Sequence, residues 1–254
     1  MLVEGLLPEG LSGTLGLALV AASLLTSFLT AAFGLGGGVA LLALMAVLLP
    51  PAALIPVHGA VQIGSNAGRV LVMLPHVVRT ALLPFSIGSL IGTTLGGLVV
   101  VRIPPHAVEL AIGLFILWSV FGRMPSFGRH ALVTGGVISS FLTMFFGATG
   151  PFVIAVVRSL KLKPLSVVAT HAAFMSIQHA IKVAVFGLLG FAFVSYLPLI
   201  AAMIASGFVG TLLGKAVLTR FGHRYFQTVL NIILCALALR LIWSGATALA
   251  ENML

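Results

Sequence analysis

The sequence predicts an all-α, polytopic membrane protein made of two repeats with opposite orientation, and three observations predict it. The first is composition. With 60% hydrophobic and 7% charged residues among 254, and a mean hydropathy of +1.25, there is too little polar surface to cover a water-soluble globule. The second is the apolar runs, which exceed the roughly 20 residues that cross a bilayer and are apolar on all faces, unlike the alternating strands of a β-barrel. The third is an internal repeat. "SFLTAAFGLGGG" (Ser27 to Gly38) is echoed by "SFLTMFFGATGP" (Ser140 to Pro151), and the same offset of 113 pairs Pro51 with Pro164, His58 with His171, Ala67 with Ala180 and Arg69 with Lys182.

In order along the chain, hydrophobic segments are expected at residues 12–33, 39–49, 55–74, 81–101 and 106–122, then at 131–147, 152–160, 165–190, 194–219 and 225–248. The second and seventh follow glycine breaks and are too short to cross about 30 Å at 1.5 Å per residue. The third and eighth carry a polar stripe. The fourth and ninth share the related runs "GTTLGGLVVVR" (Gly92 to Arg102) and "GTLLGKAVLTR" (Gly210 to Arg220), now at an offset of 118. The halves divide as residues 1–122 and 123–254 of one integrated transmembrane domain.

Charge orients the halves. The formal net charge of +9 would suggest nucleic acid in a soluble protein, but most basic residues here fall in short connectors. The connector at 50–56 is neutral where its counterpart carries Arg158, Lys161 and Lys163, and Arg79 lies opposite the neutral "FAFVSY". Basic connectors on the cytoplasmic side then collect Arg79, Arg123, Arg129, Arg158, Lys161, Lys163, Arg220 and Arg224, with Arg102 as the exception. This predicts an inverted repeat in the inner (plasma) membrane, multi-pass, with both termini outside. Each half crosses five times if the short segments span, or three times if they are re-entrant.

Short segments broken by Gly or Pro at matching places in two halves point to broken helices whose free backbone amides face a ligand. Gly34, Gly36, Gly37 and Gly38, with Gly147 and Gly150, are the candidates. Close helix packing is the alternative role of such glycines, and is preferred for Gly92, Gly96, Gly97, Gly207, Gly210 and Gly214. The polar stripe of the first half is His58, Gln62, Ser65 or Asn66, and Arg69; that of the second is His171, Gln178 or His179, and Lys182, with Met175 where Gln62 stood. Spacings of three and four put each set on one helix face. The only acids are Glu4, Glu9, Glu109 and Glu251. An incoming anion could therefore supply the pairing that a cation within the membrane needs, although snorkelling to an interface would also accommodate it.

"FGLGGG", a short segment, a proline and then "PVHGAVQIGSNAG" resemble the TauE/SafE sulfite exporter family. The resemblance extends from about Ser12 to Leu249 and places the family's motif glycines at Gly34, Gly36, Gly37 and Gly38, with Ala60 and Ser65 in the helix that follows. The second copy keeps only Gly147 and Gly150. The resemblance implies a permease for a small anion such as sulfite, a sulfonate or a related organic acid.

The leading expectation is thus a secondary transporter working by alternating access, with a proton or sodium as a coupling ion. An anion channel is the alternative, separable by saturation and counterflow. An intramembrane hydrolase built on Ser65 or Ser176 lacks an orienting carboxylate. No enzymatic activity, cofactor, metal or nucleic-acid partner is expected: Cys235 is the only cysteine, and no Walker motif is present. A homo-oligomer is compatible with the sequence.

Overall fold

The computed structural model describes residues 11–33, 36–100, 103–122, 130–217 and 224–251. Among these residues there are ten α-helices and no strand: α1 (Gly13–Phe33), α2 (Gly37–Leu48), α3 (Pro51–Val72), α4 (Leu82–Val100), α5 (Pro105–Phe121), α6 (Ala131–Phe146), α7 (Gly150–Arg158), α8 (Pro164–Leu188), α9 (Leu197–Val217) and α10 (Arg224–Glu251). Four stretches, Gly13–Ala32, Arg79–Val100, Phe193–Gly214 and Asn231–Glu251, are long and apolar enough to cross a membrane.

The helix ends follow from local chemistry. Pro51 and Pro164 begin α3 and α8 at the first helical turn, where a missing N–H costs nothing and the fixed φ already suits a helix. Gly36 (φ 97°) and Gly147 (φ 75°) take left-handed backbone between α1 and α2 and between α6 and α7. The helices that follow are short: 12 residues in α2 and 9 in α7, so about 18 Å and about 14 Å long.

Packing is reciprocal between the halves. α1 packs on α9, and α6 packs on α4. A Cβ at Gly92 would collide with the Val137 carbonyl oxygen, and one at Gly210 with the Leu24 carbonyl oxygen. Gly92 and Gly210 are partners at offset 118, while Leu24 and Val137 differ by 113. Equivalent glycines thus bring equivalent backbones together, which is how small residues drive helix association in lipid. Hydroxyls reinforce one seam: Ser23 donates to the Met203 carbonyl at 2.7 Å and Ser206 to that of Val20 at 2.7 Å. α3 packs on α8 and α5 on α10, again one helix from each half. The α4 and α8 helices also meet, with Phe85 and Phe174 stacked at a ring separation of 4.0 Å.

Candidate functional site

A cavity of about 210 Å³ lies where α1, α2 and α3 face α7 and α8, with α5 and α10 completing its wall. Seven residues proposed from the sequence line it: Gly36, Gly38, Gln62, Asn66, Arg69, Gly150 and His171. Both glycine breaks therefore reach one space. The helical stripe explains the α3 set, since Gln62, Asn66 and Arg69 follow one another at spacings of four and three.

Arg69 is only 5% exposed. Its Nη1 donates to Asn66 Oδ1 at 2.9 Å, Asn66 Nδ2 donates to the Gln62 carbonyl at 2.8 Å, and Arg69 Nε has no protein partner. No carboxylate lines the cavity among the described residues. A buried guanidinium held by a neutral amide, with donor capacity left over, suits an anionic guest. Across the cavity the His171 ring nitrogen Nε2 lies 3.3 Å from the Gly150 carbonyl oxygen. A carbonyl only accepts, so this nitrogen donates.

Residues 19–241 match the family model described as Sulfite exporter TauE/SafE. The chain belongs to the TauE/SafE family. Its members are transporters rather than enzymes, so the chain is a membrane transport protein whose partners are a small anion and the lipid bilayer. No curated protein and no solved structure matched it.

In this TauE/SafE chain the other described candidates lie away from the cavity wall. Lys182 is fully buried and donates to the Gly147 carbonyl at 2.9 Å and to Thr143 Oγ1 at 3.4 Å. Its amine thus supplies a donor at the C-terminal end of α6, where carbonyls lack helical partners. Gln178 donates to Ser139 and Ser140, both at 3.0 Å, and accepts from Thr149 at 2.9 Å. That knot ties α8 to the middle of α6 and the start of α7. Ser65 pairs with Ser27 at 3.1 Å. His58 Nε2 contacts the Gly38 carbonyl at 3.0 Å, and His179, fully buried, sets its ring edge-on to His58 at 5.9 Å. Gly37 is buried, and a Cβ there would strike the Thr26 carbonyl and the Thr30 hydroxyl. Gly147 is the turn residue itself, and Gly34 lies outside the described residues.

The TauE/SafE cavity is also lined by Thr30, Ser119, Met175, Asn231 and Arg158, none of them among the site residues that the sequence predicts. Arg158, expected in a basic connector, ends α7, is exposed and lines the cavity. Met175 replaces Gln62 in the second copy of the repeat, and both line the space.

Proposed function

We propose that this protein is a secondary transporter for a small sulfur-containing or organic anion, such as sulfite or a sulfonate. It works by alternating access between two inverted repeats, residues 1–122 and 123–254, in the inner (plasma) membrane. The observation that carries the reading is Arg69. A cation that costs about 2.5 to 3.5 kcal/mol to hold within a membrane sits on a cavity between elements of both halves, with no carboxylate among the described residues beside it. Gly36, Gly38 and Gly150 bring backbone from both breaks to the same space. The reciprocal glycine seams and the opposite charges of equivalent connectors support the inverted arrangement.

A thermal-shift series on purified protein with sulfite, sulfate, thiosulfate, taurine, sulfoacetate and simple carboxylates tests this reading. Stabilisation follows RT ln(1 + [L]/Kd), so even weak binders register at high concentration. The expected result is stabilisation by sulfite or a sulfonate that is lost in Arg69→Gln. Equal stabilisation of both proteins, or of neither, would remove Arg69 as the anchor.

A further inference from the structure

We propose that His171 is a proton-binding site coupled to the anion, so that a proton and the anion occupy the cavity together. The inference rests on the anion-carrier reading and adds the identity of the coupling ion and its residue.

The tautomer of His171 carries the argument. Its Nε2 faces the Gly150 carbonyl, so in the neutral ring that nitrogen holds the hydrogen and Nδ1 holds a lone pair. A neutral His171 therefore offers the cavity no second donor, whereas a protonated ring adds an N–H at Nδ1 and a charge. The cavity that His171 lines also holds Arg69 from α3 and Arg158 from α7. On its own helix His179 and Lys182 are the other titratable groups. α4 and α6 contribute none, and the turn Leu74–His76, which also packs on α8, carries the exposed His76. A proton on His171 thus adds a cation to a site with no carboxylate among its lining residues, and a bound anion offsets both that cation and Arg69.

The equivalent His58 shows why one histidine is assigned. It makes the same kind of bond, to the Gly38 carbonyl, but it is fully buried and its Nδ1 has no protein partner. His58 does not line the cavity, and His171 does.

By linkage, if protonation strengthens anion binding then anion binding must draw a proton from solvent by the same factor. Affinity rises as pH falls through the range in which His171 titrates in the anion-bound protein. Below the range of the anion-free protein it stops rising.

The test is calorimetry of methanesulfonate binding to the full chain in buffers of different ionisation enthalpy, from about pH 8 to about pH 5. Methanesulfonate stays ionised throughout, so any proton taken up belongs to the protein. Uptake approaching about one proton per anion somewhere in this range is expected. In His171→Gln, whose amide keeps the donor toward Gly150, uptake should vanish and affinity should lose its pH dependence. Binding without uptake, uptake that persists in His171→Gln, or affinity that follows sodium instead would overturn the proton site and leave the carrier reading standing. If methanesulfonate and the anions of the thermal-shift series all fail to bind, the carrier reading falls and takes this inference with it.

Discussion

Arg69 and Lys182 occupy one position in two copies of a repeat, yet one borders the cavity and the other is sealed against the Gly147 carbonyl. Substitution should separate them. A charge-assisted hydrogen bond contributes about 1.5 to 3 kcal/mol, so Arg69→Gln should weaken anion binding roughly ten- to a hundredfold. Arg69→Lys should also lose affinity, because one ammonium cannot reproduce the planar fork that holds Asn66 and an anion at once. Lys182→Met should change equilibrium affinity by less than about threefold, since Thr143 still donates to the Gly147 carbonyl at 3.0 Å. Titration calorimetry on the three variants checks this, and equal losses at both positions would contradict the asymmetry. The sequence revealed the stripe because spacings of three and four fix a helix face. It did not reveal which members reach the cavity, because His58 and His171 are equivalent in the repeat, and which of them borders the space depends on what the other helices pack over each.

At the scale of elements, the ten expected segments correspond to the ten helices, with ends displaced by a few residues. α3 starts at Pro51 rather than at residue 55, since proline at the first turn begins a helix instead of preceding one. α2 starts at Gly37, inside the glycine run. There the single role expected for the run divides: Gly36 and Gly38 border the cavity, while Gly37 is a packing notch against α1. Gly37→Ala should therefore lower the melting temperature of the ligand-free protein. A binding defect with unchanged melting would restore the cradle role to this residue. A second pair isolates backbone strain from crowding. Gly147 and Gly190 both have positive φ, but a Cβ on Gly147 meets the Leu42 side chain at 2.7 Å, whereas nothing lies within 4 Å of one on Gly190. Alanine at Gly190 should cost about 1 kcal/mol from backbone alone. At Gly147 a further 1 to 3 kcal/mol, roughly, comes from overpacking. Denaturation of the two variants side by side should rank them in that order, and equal costs would mean that Leu42 yields freely.

At the scale of the whole molecule, the opposite orientation proposed for the halves is open to direct measurement. Ala52 and Leu165 are equivalent at offset 113 and both are exposed. Single cysteines placed there on a Cys235→Ala background should react with an impermeant thiol reagent from opposite sides of the membrane, residue 52 from outside. Reaction of both from one side would make the repeats parallel. The repeat was legible because identical residue types recur at fixed offsets, but the exchange of partners across it was not, since offsets carry no record of which helix touches which. That exchange has a consequence for biosynthesis. A chain emerges from its N-terminus, and domains of multidomain proteins generally fold in that order. Here α4 meets its glycine-seam partner α6 soon after it is made, but Ser23 on α1 must wait for the Met203 carbonyl, 180 residues later. α1 is made long before α9 and finds its seam partner only once α9 follows. Nascent chains stalled after α8 should show cysteine crosslinks across α4 and α6, and those across α1 and α9 should form only once α9 has left the ribosome.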